Sequence, residues 1–271
     1  MKIGFCFTGE GARGAIQAGI VKGLDSIGIK PDMTIGISSG SICSASYSYL
    51  GPDGLFEMWG NIRNIFSVFG LNLNIITKTG LLNQKPMEKI VSNAMKNKPI
   101  CESLVCKMNI ETGEMNYVSN YLANKSDFME SVLASVAITG LVEDRNGWVD
   151  AGSRQLAPLK QAIELGCDKI YVIMGRPFSL VQWSKPNGIF RNAKMAFRAL
   201  DIALYELMIR DINQFLKNKK IKSEIFLVEP TKFFYDSVDF KKCKEGVELG
   251  RNNFTILDKK EIKKSLINYH E

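Results

Sequence analysis

The chain is poor in histidine: its 271 residues include one, His270, close to the end of the sequence. Terminal residues are usually poorly ordered, so this imidazole is expected in solvent and not in a catalytic site. A Ser-His-Asp triad needs a histidine base and is therefore excluded. Any serine nucleophile in this chain must give its proton to another group.

Long apolar runs are also lacking. No stretch reaches the roughly 18 apolar residues that suggest a membrane-spanning helix. The apolar run at residues 3–8 meets a glycine and a glutamate too early to be the core of a signal peptide. The sequence thus predicts a cytoplasmic protein whose membrane contact, where it has any, is peripheral.

The cysteines lack the C-x-x-C spacing of zinc or redox sites. In a chain without an export signal they are expected to be buried free thiols, without disulfides, metal or cofactor. They are Cys6, Cys43, Cys101, Cys106, Cys167 and Cys243.

Composition and charge fit one globular domain over residues 1–271, with 45% apolar and 23% charged residues. The net charge is +7, and residues 176–222 hold ten basic and three acidic residues, which accounts for the whole excess. No nucleic-acid-binding motif accompanies this charge, so no nucleic acid partner is expected.

Strands alternate with helices in the first third of the chain: strands over residues 2–8 and 33–37, helices over 14–27 and 41–50. This alternation predicts an α/β fold with a largely parallel central sheet. The less regular part that follows predicts a cap or lid within residues 51–100.

Later elements follow from turn signals and periodicity. They are a helix over 86–95, hairpins around Thr112-Gly113 and Asn146-Gly147, helices over 127–138 and 156–165, strands over 169–174 and 224–228, a basic amphipathic helix over 189–217, and a charged helical tail over 251–271.

The stretch GEGARG, residues 9–14, follows the first strand and matches the dinucleotide-binding pattern G-x-G-x-x-G. A dinucleotide site would need an acidic residue at the end of the second strand, but Asp32 precedes that strand. The same loop can instead present backbone N–H groups to an oxyanion. A glycine turn that only packs helix against strand is the structural alternative.

The stretch GISSG, residues 36–40, has the pattern G-x-S-x-G between the second strand and a helix of small residues. This context is typical of a nucleophile elbow, which exposes its serine at the edge of the sheet. The candidate nucleophile is therefore Ser38, flanked by Gly36 and Gly40.

The base that replaces histidine is expected to be Asp150 in WVDAG, followed by Gly152. Partial burial beside Ser38 would raise the pKa of this carboxyl toward the range useful for a general base. An aspartate that merely caps a turn is the alternative.

These three motifs, in this order and without a usable histidine, resemble the patatin-like phospholipase family. The resemblance implies a three-layer α/β/α fold and a lipid acyl hydrolase with a Ser-Asp dyad and no metal or cofactor. It makes Ser38 the nucleophile and Asp150 the base. The residues it implies for the oxyanion loop are Gly9, Glu10, Gly11 and Arg13, with Gly14, Gly36, Gly40 and Gly152 in support.

Two positions depart from the family pattern. Glu10 stands where many members have glycine, and a carboxylate that faced an oxyanion would repel it, so the side chain is expected to turn away or neighbours to build the hole. Thr139 stands where proline is common, close to the Asp150 loop.

A basic stripe on the long helix suggests contact with an anionic membrane surface. Its residues are Phe190, Arg191, Lys194, Phe197 and Arg198. The alternative is a solvated helix face whose apolar positions Leu200, Leu204 and Leu207 join the core. Aromatic side chains at Phe56, Trp59, Phe66 and Phe69 are expected either to line an acyl channel or to pack in the core.

The function favoured by the sequence is cleavage of lipid carboxylic esters, as a phospholipase A or lysophospholipase does. Two alternatives stay open: a thioesterase or small carboxylester hydrolase using the same dyad, and a non-catalytic module that binds nucleotide or lipid.

Overall fold

The computed structural model describes residues 1–73, 79–178, 191–218, 220–232 and 235–270. Within these ranges the strands are β1 Ile3–Phe7, β2 Met33–Ile37, β3 Gly70–Leu71, β4 Leu82–Asn83, β5 Glu102–Asn109, β6 Met115–Ser119, β7 Trp148–Asp150, β8 Lys169–Ile173, β9 Glu224–Pro230 and β10 Phe254–Leu257. The α-helices are α1 Gly14–Ser26, α2 Ser39–Gly60, α3 Lys85–Ala94, α4 Lys125–Ala134, α5 Leu159–Glu164, α6 Arg191–Lys217, α7 Cys243–Asn252 and α8 Lys259–His270.

The main sheet has the strand order β10-β9-β8-β1-β2-β5-β6, and β7 also pairs with β5. Its five central strands, from β9 to β5, are parallel, while β10, β6 and β7 pair antiparallel to their neighbours. In parallel strands the carboxyl ends meet at one edge, and the crossover connections place helices on both faces. The loops after β1, β2 and β8 therefore converge at that edge.

The sheet is the middle of three layers. Phe5 and Phe7 on β1 belong to the cluster packed under α1, α2 and α7, while Cys6 between them belongs to the cluster under α5, α6 and α8. Successive side chains of a strand point to opposite faces, so one short apolar strand contributes to both cores. The α/β class and the largely parallel sheet are as predicted.

Helix α2 is longer than predicted. The sequence pattern suggested an end near residue 50, but the helix resumes after a break at Gly51 (φ 68°, ψ −172°) and continues to Gly60. A positive φ is easily adopted only by glycine, and Pro52 is favourable in the first turn of the segment that follows. The Gly-Pro pair marks a kink and not an end.

The predicted charged tail contains a strand as well as a helix. β10 pairs antiparallel with β9 at the edge of the sheet, and α8 follows it. No helix within the described ranges is long and apolar enough to cross a membrane. All six cysteines are buried and free, as predicted.

Candidate active site

Ser38 occupies a sharp turn between β2 and α2. Its backbone has φ 56° and ψ −130°, a region that non-glycine residues rarely adopt and that is often found at functional sites. A side chain on Gly36 would collide with the backbone of Gly40, and one on Gly40 with the backbone of Phe7. The two glycines are therefore required for the turn to pass this close to β1.

The strand register explains why Asp150 lies beside Ser38. β2 pairs with β5 only as far as Ile37, opposite Cys106, while β7 pairs with the next part of β5, with Asp150 opposite Lys107. Because β6 lies on the other side of β5, β7 takes the place that β2 leaves. The end of β7 thus meets the turn after β2.

The Ser38 hydroxyl donates a hydrogen bond to Asp150 Oδ2 at 2.6 Å. The other carboxylate oxygen accepts from the Gly152 N–H at 2.7 Å, and the Asp150 N–H donates to the carbonyl of Ala137 at 3.1 Å. Asp150 is 9% exposed. Both oxygens and the backbone of this aspartate are therefore held in place.

Burial raises the pKa of Asp150 from its ordinary value to about 6, although the hydrogen bonds from Ser38 and from the Gly152 N–H oppose the rise. Desolvation disfavours the charged form of a carboxyl group. At neutral pH the group is thus ionised but more basic than an exposed aspartate, which suits a general base.

Ser135 also belongs to the site. Its hydroxyl oxygen accepts from the Ser38 N–H at 3.1 Å and lies 2.6 Å from the Ser41 hydroxyl. Sequence reasoning did not identify Ser135 as a site residue. One short segment therefore contacts the backbones of both Ser38 and Asp150, through Ser135 and Ala137.

The glycine loop packs directly against the Ser38 turn. A side chain on Gly9 would approach Ser38 Cβ to 2.9 Å. The Gly9 N–H donates to the Leu156 carbonyl at 3.3 Å, and the Glu10 N–H donates to Ser39 Oγ at 2.9 Å. These bonds hold the loop to Leu156, which follows the Asp150 loop, and to Ser39, the first residue of α2.

The backbone N–H groups of Gly11, Ser39 and Gly40, all near the turn, have no hydrogen-bond partner within the described residues. Gly11 has φ 60°, which suits glycine. In a nucleophile elbow, the N–H of the residue after the nucleophile serves the oxyanion hole. Ser39 is thus a candidate that sequence reasoning missed, although its position after Ser38 could have indicated it.

The Glu10 carboxylate turns away from Ser38. One oxygen accepts from the Thr8 hydroxyl at 2.6 Å and the Gly175 N–H at 2.8 Å, and the other lies 3.1 Å from Arg176 Nε. The Arg13 guanidinium is equally occupied, with Nη1 2.8 Å from Asp201 and Nε donating to the Tyr235 carbonyl. The side chains of Glu10 and Arg13 are therefore both bonded to residues outside the glycine loop.

The supporting glycines lie at close contacts. Gly14 begins α1 against the ring of Trp59, and the N–H of Gly152 binds the carboxylate of Asp150. His270 is the last residue of α8, and its side chain lies outside the described part of the chain.

Most side chains of the expected membrane stripe lie outside the described part of the structure. Phe190 lies outside the described residues. Arg191, Lys194 and Phe197 lie on α6, but their side chains are not among those described. The fifth residue, Arg198, is 3.0 Å from the buried carboxylate of Asp201. Farther along the helix, Leu204 and Leu207 pack against the core, whereas Leu200 is 47% exposed.

The four aromatic residues considered for an acyl channel do not share one wall. Trp59 is buried against Gly14, Phe69 meets Phe240 edge to face, and Phe66 is exposed. Phe56 packs at the edge of the core under the guanidinium of Arg251. A cavity of about 380 Å³ does lie in this region, between α2 and α3. Its lining residues are Leu50, Met58, Asn61, Ile62, Ser67, Ile90, Asn93 and Ala94.

The part of the chain that contains these site residues matches a known family. The family model described as patatin-like phospholipase matches residues 5–163. No curated protein matches the chain. The matched range is more than half of the 271 residues and includes the glycine loop, the Ser38 turn and Asp150. The chain belongs to the patatin-like phospholipase family.

Proposed function

We propose that this protein hydrolyses the carboxylic esters of lipids through a dyad of Ser38 and Asp150. Membership of a family of lipid acyl hydrolases supports the substrate class. The observation that carries the mechanism is the 2.6 Å hydrogen bond between the Ser38 hydroxyl and a buried carboxylate of raised pKa. This pair supplies a nucleophile and a base without histidine.

In the first half of the proposed reaction, Asp150 accepts the Ser38 proton while Ser38 Oγ attacks the ester carbonyl carbon. The tetrahedral oxyanion is stabilised by backbone N–H groups, for which those of Gly11 and Ser39 are the candidates. The intermediate collapses, protonated Asp150 gives its proton to the leaving alcohol, and the acyl group stays on Ser38.

In the second half, water attacks the acyl-enzyme. Asp150 takes a proton from this water, a second tetrahedral intermediate forms, and its collapse releases the fatty acid while the proton returns to Ser38 Oγ. Every proton transfer uses the same carboxylate.

We further propose that residues 1–271 form one domain, because β1 near one end of the chain and β10 near the other belong to the same sheet. Six buried free thiols fit a reducing compartment such as the cytoplasm. The basic excess of residues 176–222 fits encounter with anionic lipid at a membrane surface.

The test combines covalent labelling with product release. Wild type is expected to react with a fluorophosphonate probe and to release fatty acid from liposomes of mixed phospholipids. Ser38→Ala should abolish both, and Asp150→Asn should slow release by about 10²- to 10⁴-fold, the usual contribution of a general base. Ser26→Ala, which removes an exposed hydroxyl on α1, is the matched control.

Two outcomes would contradict the proposal. Labelling and release that persist in Ser38→Ala would place the nucleophile elsewhere. An Asp150→Asn variant as active as wild type would remove the base from the mechanism.

A further inference from the structure

Behind the glycine loop lies a buried ion-pair network of five side chains: Glu10, Arg13, Arg176, Arg198 and Asp201. Asp201 is its centre and lies 2.8 Å from Arg13, 3.3 Å from Arg176 and 3.0 Å from Arg198. Arg176 also binds Glu10 at 3.1 Å. The side chains of Glu10 and Arg13 are each 1% exposed. The network thus connects two residues of the glycine loop to distant parts of the chain.

The partners of the loop come from outside the range that the family model matches. Arg176 follows β8, and Asp201 and Arg198 lie on α6, all beyond residue 163. The Arg176 guanidinium also lies over the ring of Tyr205, which is on α6, at 5.0 Å from the ring centroid. These contacts therefore involve residues outside the part of the chain that the family model matches.

Helix α6 supports the loop at a second point. Asp211, ten residues after Asp201, accepts hydrogen bonds from the N–H groups of Leu156 (2.8 Å) and Ala157 (3.2 Å). The Leu156 carbonyl in turn accepts from the Gly9 N–H. One helix therefore holds both ends of the glycine loop through two buried carboxylates.

Buried charges are stable only when they are paired, and loss of one partner leaves an uncompensated charge. Arg176 is the ion-pair partner of Glu10 within the described residues, while Thr8 and Gly175 supply only neutral donors to the same carboxylate. Burial alone would raise the pKa of Asp201, but the charges of Arg176, Arg13 and Arg198 outweigh it and lower the pKa.

We propose that Arg176 and Asp201 are positioning residues for the oxyanion loop. Arg176 holds the Glu10 carboxylate away from the reacting ester, and Asp201 fixes the side chains of Arg13 and Arg176. The loop N–H groups thereby stay beside Ser38. The inference rests on the proposed function, since it assigns a role in stabilising the oxyanion of that reaction.

The decisive comparison is a pair of substitutions. In Arg176→Met, the Glu10 carboxylate loses its ion-pair partner and keeps the hydrogen bonds from Thr8 and Gly175. The kcat on a soluble short-chain ester is expected to fall about 100-fold, as when an oxyanion donor is lost. KM should stay within about threefold, because ground-state binding of the ester does not use the loop. In Glu10→Gly/Arg176→Met the unpaired carboxylate is gone, and kcat should recover at least tenfold over Arg176→Met.

Arg251→Met is the matched control, because Arg251 pairs with Glu248 on the surface and its loss should leave kcat and KM unchanged. Should Arg176→Met fail to fold, Arg176→Lys replaces it in the same comparison: it keeps the charge but loses the guanidinium contacts, and kcat should fall with KM retained.

The two proposals fail differently. Wild type that neither hydrolyses esters nor reacts with a fluorophosphonate overturns the proposed function. An active wild type together with an Arg176→Met variant of unchanged kcat overturns this inference alone. A double variant no more active than Arg176→Met, with both folded by circular dichroism, also overturns it, because the arginine would then not act through Glu10.

Discussion

The hydroxyl oxygen of Ser135 accepts a hydrogen bond from the main-chain N–H of Ser38, although 97 residues separate them. The bond holds the backbone of Ser38 in a conformation that a serine rarely adopts. The Ser135 hydroxyl is also hydrogen-bonded to the Ser41 hydroxyl at 2.6 Å, and Ser41 itself donates to the Gly36 carbonyl. The turn is thus stabilised by side chains that take no part in the proposed chemistry.

Ser135→Ala is expected to lower kcat/KM on a soluble ester about fivefold. The substitution leaves the Ser38 N–H without its acceptor, and a hydrogen bond of this kind is worth about 1 kcal/mol. Ser131→Ala is the matched control, because that hydroxyl binds the Asp127 carbonyl within α4. Equal activities of the two variants would show that Ser135 does not support the turn.

The activity should depend on pH through Asp150. The base must be ionised to accept the Ser38 proton, and its pKa is raised to about 6. We therefore expect kcat/KM on a neutral soluble ester to increase with pH through about 6 and to level off above it. A profile that is flat between pH 5 and 8 would contradict this assignment of the base.

Ionisation of Asp150 should lower the stability of the folded protein. The pKa of this carboxyl rises from 3.8 in the unfolded chain to about 6 in the folded protein, so ionised Asp150 costs about 3 kcal/mol of folding free energy above pH 6. The cost develops as the pH rises from 3.8 to 6 and is absent below that window. Asp150→Asn is therefore expected to raise Tm by several degrees at pH 8 and to leave it nearly unchanged at pH 3.5.

Thermal unfolding of wild type and Asp150→Asn at the two pH values tests this. A variant that is less stable than wild type at pH 8 would mean that the hydrogen bonds from Ser38 and Gly152 outweigh the burial of the charge.

Gly9→Ala should impair both activity and stability. The added Cβ would lie 2.8 Å from Leu156 Cδ2 and 2.9 Å from Ser38 Cβ, closer than carbon atoms normally approach. We expect a loss of about 1–3 kcal/mol in the free energy of unfolding and at least a tenfold loss in kcat. Gly60→Ala is the control, since its Cβ would meet only Val247 at an ordinary 3.5 Å. Comparable losses in the two variants would contradict the close packing of the loop.

Much of the fold was predictable, because its signals are local. Short, mostly apolar segments of five residues mark β1 and β2. Asn146-Gly147 marks the hairpin before β7, and both residues adopt positive φ there. The edge strand β10 was missed because four half-buried residues among many charges carry little periodicity. The continuation of α2 was missed because Gly51-Pro52 is as typical of an ending as of a kink.

For the candidate site, the sequence by itself determined the residue types and their order: a serine between two glycines, an aspartate before Ala-Gly, a glycine loop and no usable histidine. Only the tertiary structure decided that β7 takes the place that β2 leaves beside β5, that Ser135 binds the Ser38 turn, and that Glu10 turns toward Arg176. The pairing of β7 with β5 joins residues about 40 positions apart, and the contacts of Ser38 and Glu10 join residues about 100 or more positions apart. Local periodicity carries no information about them, because they depend on the order of strands in the sheet and on which helix packs behind it.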